Sequence, residues 1–280
     1  MRSILSGSSG FIGTALAARL GTLGHQIIKL PRELLLNVFN LEAFLKEKKP
    51  DYIFHLAAYG NLVEQQEESK IWDVNLGGLC NLLDSSTALD YKAFINFSTS
   101  SVLLEKQTFY SVSKACGEKI AEIYQSQHKK PIVTVRLSSV TGVGEQETHL
   151  IPTLIRSCLE HKIMPFVPEP THDFIDIDDV ISAVLLLAER AQVFSKNQIF
   201  NISANKSYTN EQVKELVEKV TSRKVLVHLV TSLRIYDNPN WRVDNSELLK
   251  LDWKPTKTLE ESIKEMVHEK HRFKASNFRN

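Results

Sequence analysis

Five short, nearly continuous apolar runs alternate with longer helical patterns through the first half of this chain, and that alternation constrains the fold more than any other feature. The runs occupy residues 3–6, 25–30, 51–57, 93–98 and 132–137. Helical periodicity falls over 11–23, 41–48, 71–89 and 110–127. Strands joined by crossover helices form βαβ units, and strands apolar on both faces belong to a parallel sheet covered on both sides. The fold class is therefore α/β. After Ser138 the pattern loosens. Residues 164–173 hold three prolines and read as a loop or an extended segment. Strands are expected at 198–202 and 225–230. Helices are expected at 180–189, at 211–220 with Thr209 or Asn210 as cap, and at 259–268. Residues 269–280 lack periodicity and read as frayed.

With 280 residues the chain can build one large domain or two small ones. Its 34 Lys and Arg against 33 Asp and Glu give a net charge of +1, which excludes binding driven by a broad basic field and so predicts no nucleic-acid partner. No apolar run approaches the roughly 20 residues of a membrane span. The N-terminus is too short in apolar residues for a secretory leader. A soluble, cytoplasmic protein is expected. Cys80, Cys116 and Cys158 are odd in number and far apart, which argues against a disulfide framework and a structural zinc. They read as buried apolar residues. His268 and His271 read as a solvated helix end rather than metal ligands, and no metal is expected. Residues 64–70 read as a solvated helix face and Trp253 as a core anchor.

Gly7, Gly10 and Gly13 are spaced GxxGxxG between the first strand and the first helix. Gly7 allows a tight turn, Gly10 lets backbone approach a pyrophosphate, and Gly13 lets helix and strand pack closely. The helix start at Phe11 and Ile12 offers unpaired N–H groups to an anion. An acid at the tip of the second strand would take a ribose 2′-hydroxyl and select NAD. Here the tip reads Lys29-Leu30-Pro31-Arg32, and an Arg pairs instead with a 2′-phosphate, favouring NADP. Glu33 keeps NAD open. Asn37 is placed to hydrogen-bond an adenine.

Tyr110 and Lys114 begin the long helix four residues apart, on one face. A nearby ammonium and a positive nicotinamide are expected to lower the phenol pKa from its usual value near 10. Tyr110 then exchanges a proton with a substrate hydroxyl while hydride moves. Ser98, Thr99, Ser100 and Ser101 end the preceding strand, where open α/β sheets place ligands.

On these residues the chain resembles the extended short-chain dehydrogenase/reductases, the nucleotide-sugar epimerase, dehydratase and reductase family. The resemblance runs through Gly7, Gly10 and Gly13, His55-Leu56-Ala57-Ala58, Asn75, the 98–102 strand end, Tyr110 and Lys114, Arg136-Leu137, Gly142 and Gly144, the segment from Asp173 to Val180, and Asp252-Trp253-Lys254-Pro255. It implies a Rossmann-type doubly wound parallel sheet over residues 1–160, with residues near 173–204 returning to it. A smaller C-terminal α/β substrate region over 161–280 completes the implied fold. It also implies Tyr110 as acid/base, Lys114 as its partner and ribose anchor, and Thr99 as the third catalytic hydroxyl, with Ser100 as fallback. Leu56, Ala57 and Ala58 become cofactor contacts. Ser139, His149 and Arg234 become substrate contacts; Arg234 and Asp237 match an R-x-x-D whose Arg clamps a diphosphate. A homodimer is implied through the helix bearing Tyr110 and its neighbour.

The departures narrow the reaction. Dehydratases of the family carry Asp-Glu where this chain has Ser100-Ser101, which argues against water elimination. The loop before Tyr110 is short. Ser139, His149 and His172 replace an Asn, an Asn and an Arg. The leading expectation is an NADP-dependent reductase of a 4-keto nucleotide sugar. The alternatives are a 4-epimerase with tightly held NAD and a non-catalytic NAD(P)-binding regulatory protein.

Overall fold

The computed structural model describes residues 1–62, 64–194, 198–231 and 240–277. In chain order the first elements are β1 (Arg2–Ser6), α1 (Phe11–Thr22), β2 (Gln26–Lys29), α2 (Arg32–Leu35), α3 (Val38–Lys48) and β3 (Tyr52–His55). Next come α4 (Glu68–Trp72), a π-helical turn (Asp73–Gly77), α5 (Gly78–Ser86), β4 (Ala93–Thr99), a 3-10 turn (Ser100–Leu103), α6 (Phe109–His128) and β5 (Ile132–Leu137). Then follow β6 (Ser139–Thr141), α7 (Leu150–Glu160), β7 (Met164–Phe166), β8 (Thr171–Asp176), α8 (Ile177–Arg190) and β9 (Ile199–Ile202). The last are β10 (Ser207–Thr209), α9 (Asn210–Thr221), β11 (Val227–Leu229), α10 (Ser246–Leu249) and α11 (Leu259–Asn277).

These elements form two compact units, Met1–Leu137 with Ile181–Ile202, and Ser138–Val180 with Ser203–Asn280. The first holds a six-stranded parallel sheet in the order β2-β1-β3-β4-β5-β9. This is the Rossmann-type α/β architecture expected. The strands carry Ile4, Ile53, Phe94 and Ile132, each at most 1% exposed, against Leu41, Leu45, Leu79 and Leu82 from the helices. β3, β4 and β5 are buried on both faces along nearly all of their length, which is why they read as mostly apolar runs. The strand order reverses between β1 and β3, and such a switch point opens a crevice at the carboxyl ends of the strands.

The second unit has a three-stranded sheet, β10-β8-β6, and a two-stranded one, β11-β7. Its core joins Ile151, Leu154 and Ile155 of α7 to Val213 and Val217 of α9 and to Ile263 and Met266 of α11. The carboxylates between Asp173 and Asp179 staple it. Asp173 accepts the N–H groups of Ala204 (3.0 Å) and Val243 (3.1 Å). Asp176 accepts the Ser262 hydroxyl (2.6 Å), and Asp179 the N–H groups of Thr256 (2.9 Å) and Lys257 (3.0 Å). A buried carboxylate satisfied by backbone donors ties chain segments that have little apolar surface of their own.

The proline-rich segment 164–173 is extended, one of the two forms expected for it: it contains the three-residue β7 and the start of the six-residue β8. Several other expectations need correction. The 269–280 tail is helical to Asn277, and Lys270 reaches Glu147 at 2.6 Å to anchor that turn. Helix in 64–70 is confined to the residues from Glu68 on, and Lys70 lies 4.7 Å above the Tyr59 ring. Cys158 is buried, but Cys80 is half-buried and Cys116 exposed on α6. Among the described residues no helix is long and apolar enough to cross a membrane, and no group of three or more His, Cys, Asp or Glu is placed to hold a metal.

Candidate active site

The glycine turn is built by sterics. Gly7 has φ +69°, and an ideal Cβ there would meet the Ala57 nitrogen at 2.7 Å and the Leu56 carbonyl carbon at 2.9 Å. A Cβ on Gly13 would stand 2.3 Å from the Gly7 oxygen. Gly10 is different: its nearest neighbour is the Gly7 oxygen at 3.5 Å, an ordinary contact. Gly10 is also the N-cap of α1, where no side chain caps the helix and no acid occupies the first turn. Positive φ and tight backbone contact thus account for Gly7 and Gly13, while the space beside Gly10 stays open.

Below the turn, Ser6 Oγ and His55 Nδ1 share a 2.9 Å hydrogen bond, and the Ala57 N–H donates to Ser6 Oγ at 3.2 Å. His55 is fully buried. Burial, with the Lys114 charge second, pushes its pKa down to about 3, so the ring is neutral. Ser6 and His55 are register partners across β1 and β3, which sets Leu56, Ala57 and Ala58 at the switch point.

A reciprocal box starts α6: Ser111 N–H donates to Thr108 Oγ1 at 3.2 Å, and Thr108 N–H to Ser111 Oγ at 2.8 Å. Tyr110 therefore lies in the first turn and Lys114 one turn later. Gly60, at φ +102°, lets the loop after β3 pack on Ile71 of α4: a Cβ there would stand 2.8 Å from the Ile71 side chain, while the Tyr110 Cβ at 3.5 Å would be an ordinary contact. Asn75 holds the same loop. Its Nδ2 donates to Tyr59 O at 2.8 Å and Ser113 Oγ at 2.9 Å, and its Oδ1 accepts the Tyr59 N–H at 2.8 Å. Asn75 lies on the π-helical turn, a distortion common near functional sites.

Burial pushes the Tyr110 phenol up to about 12 and the Lys114 ammonium down to about 8. The expected lowering of the phenol by Lys114 does not occur in the chain alone, because desolvation of the phenolate dominates. Thr99 ends β4 half-buried. Its Oγ1 accepts the Ser101 N–H at 3.1 Å and donates to Ser101 Oγ at 3.1 Å. Ser100 is buried, at 1% exposure.

Arg32 opens α2 just past β2 and is exposed, as is Glu33. Asn37 lies between α2 and α3, with no strand before it. Its Oδ1 caps α3 by accepting the Asn40 N–H at 3.2 Å. In the second unit, Ser139 opens β6 opposite Phe174. His149 is the N-cap residue of α7, with Nδ1 3.1 Å from buried Glu145. His172 lies on β8, its ring centroid 5.3 Å from that of Trp241 with the planes tilted by 42°. Arg234 and Asp237 fall outside the described residues.

Two groups here had no role assigned from the sequence. Asn75 stood only as part of a matching motif, with no role. Glu118 follows Lys114 by four residues, and that repeat of Tyr110, Lys114 and Glu118 on one face was the available signal. Glu118 accepts Arg136 Nε at 2.8 Å, Arg136 Nη2 at 2.6 Å and Ser98 Oγ at 2.6 Å.

Comparison with known proteins agrees with this geometry. CDP-abequose synthase of Salmonella typhimurium is 30% identical over 212 aligned positions, covering 66% of this chain and 69% of that one. Two solved structures share the fold at 20% identity. They are UDP-glucose 4-epimerase of Thermus thermophilus in complex with NAD (TM-score 0.83, 96% of this chain and 98% of that one) and RMD of Pseudomonas aeruginosa complexed with NADPH (0.81, 95% and 97%). The NAD dependent epimerase/dehydratase family model matches residues 4–203, from the first strand through the glycine turn and Tyr110 to the end of β9. With its sheet, its turn and most of its length accounted for in this way, the chain belongs to that family of enzymes.

Proposed function

We propose that this chain is an NAD(P)-dependent oxidoreductase that reduces a 4-keto nucleotide sugar, with Tyr110 as proton donor. One observation carries the reading: a glycine turn at the uncapped start of α1 shares a unit with a half-buried tyrosine and a buried lysine one turn apart on α6.

The residues present fit a dinucleotide. Gly10 leaves room for a pyrophosphate, and the N–H groups of Phe11, Ile12 and Gly13 would meet it without competition from a cap or a first-turn acid. Leu56, Ala57 and Ala58 would flank it at the switch point. Arg32, exposed just past β2, would pair with a 2′-phosphate, which favours NADP over NAD. Asn37 would approach the adenine only through the part of its amide not used in capping. When bound, the nicotinamide supplies the hydride.

Tyr110 gives a proton to the substrate oxygen as its carbon is reduced. A phenol held at about 12 is protonated at neutral pH, the state a donor needs. Lys114 would hold the ribose. Thr99 would orient the carbonyl by turning its hydroxyl from Ser101, with Ser100 as the buried fallback. Ser139, His149 and Arg234 would bind the sugar nucleotide. Exposed Phe109, Val112, Cys116 and Ile123 give α6 an apolar outer stripe suited to a homodimer.

A 4-epimerase is the second reading, favoured by the likeness to UDP-glucose 4-epimerases. Its first step takes the proton of the C4 hydroxyl, so it starts from the Tyr110 phenolate, whereas the reductase starts from the phenol. Screening NADPH oxidation and thermal shift with 4-keto sugars on UDP, dTDP, CDP and GDP separates the readings. NADPH consumption with one of them is expected. Purified protein that retains NAD and inverts a sugar without net oxidation would replace this reading with the epimerase.

A further inference from the structure

We propose that Glu118 is a positioning residue for the Tyr110–Lys114 pair: clamped by Arg136 and Ser98, its carboxylate locks α6 onto β4 and β5 and sets a fixed negative charge one helical turn from the Lys114 ammonium. The inference rests on the functional reading above and extends it.

Glu118 is 3% exposed, deep for a carboxylate on a helix. The cost of burying it is offset by three short donor contacts, two of them the parallel N–H groups of one guanidinium. Ser98 and Arg136 are register partners on adjacent strands, so a single carboxylate grips both strands at once. Ser98 immediately precedes Thr99. The same clamp therefore fixes the strand end that carries Thr99 and the helix that carries Tyr110 and Lys114. An exposed ion pair on a helix would be a weak device, but a bidentate buried one specifies geometry.

The charge has a second effect. Among the described residues the groups that interact electrostatically with Lys114 are Glu118, one turn on along its own helix, and His55 of β3, held neutral; Tyr110 lies one turn before it, and Arg136 of β5 pairs with Glu118. Burial drives Lys114 toward the neutral amine, and Glu118 acts in the opposite direction. Without the carboxylate, Lys114 loses its proton at lower pH and Arg136 stays cationic without its partner.

The test follows NADPH affinity against pH, which needs no sugar substrate, in wild type, Glu118→Gln, Glu118→Asp and Glu118→Gln/Arg136→Met. The double variant removes both buried charges and keeps the volume, guarding against misfolding from an unpaired Arg136. In Glu118→Gln and in the double variant the alkaline loss of affinity is expected to move down by about 1 pH unit, the effect of one nearby opposite charge. Affinity at low pH stays unchanged, and Glu118→Asp returns the limb toward wild type. A purely structural role would weaken binding equally at every pH. An alkaline limb in the same place for all four proteins, or a uniform loss, overturns the proposal and leaves the functional reading standing. Wild type that binds neither NADPH nor NADH overturns both.

Discussion

The Gly7 carbonyl oxygen lies where a Cβ on Gly13 would stand only 2.3 Å away, so β1 and α1 meet at a separation that no other residue at position 13 permits. Gly10, three residues earlier, has φ −76° and no such crowding. The three glycines thus serve different ends, two for the protein's own packing and one for what the turn can hold.

That difference is measurable. Gly13→Ala is expected to lower stability by about 1–3 kcal/mol, the cost of forcing a methyl into packed backbone. Gly10→Ala should keep the wild-type melting temperature and lose NADPH affinity about tenfold or more, the equivalent of one charge-assisted hydrogen bond. Thermal denaturation and fluorescence titration of the two variants side by side check both halves.

Tyr110→Phe keeps the aromatic ring and removes only the hydroxyl. NADPH affinity should hold, while single-turnover reduction falls at least about 100-fold, the lower range for losing a general acid. Undiminished turnover would assign the proton to another group.

Arg32→Ala removes an exposed side chain with no role in packing. Its melting temperature should match wild type. Affinity for NADPH should fall about tenfold, the scale of one charged hydrogen bond to phosphate, with NADH affinity unchanged. Equal small losses for both dinucleotides would remove the argument for NADP.

Asp173 ties the second unit together, yet burial raises its pKa to about 6. A folded-state pKa above the unfolded value means the native state binds the extra proton, so this group's contribution is greatest below about pH 4 and is lost as pH rises through about 6. Melting temperature measured from pH 4 to pH 7 should carry that decline. Asp173→Asn should remove it, while costing about 1–3 kcal/mol because one backbone N–H loses its acceptor.

The sheet was legible because its central strands are buried on both faces, which leaves runs such as residues 93–97 with a single polar residue, Asn96. The glycine turn and the Tyr110–Lys114 spacing were legible because each is local, set by residues within one turn of chain. What escaped was long-range. The role of Glu118 depends on Ser98, 20 residues before it, and on Arg136, 18 residues after it. Asn75 acts on Tyr59 and Ser113, neither of them near it in sequence. The short strands β6 and β7, and the longer β8, are held by pairing across distant segments rather than by an alternating pattern. The last turns of α11 show no periodicity because their visible anchor is an ion pair, Lys270 with Glu147. Cys116 is exposed because it falls on the outer face of α6, with Phe109 and Val112.

The most direct test of the account supplies NADPH carrying deuterium at the transferable nicotinamide position, together with a 4-keto nucleotide sugar. Wild type should place deuterium on C4 of the product, with the hydroxyl proton coming from Tyr110, and Tyr110→Phe should leave C4 nearly unlabelled in the same time. A wild-type protein saturated with NADPH that never labels C4, whichever nucleotide carries the sugar, would contradict the account.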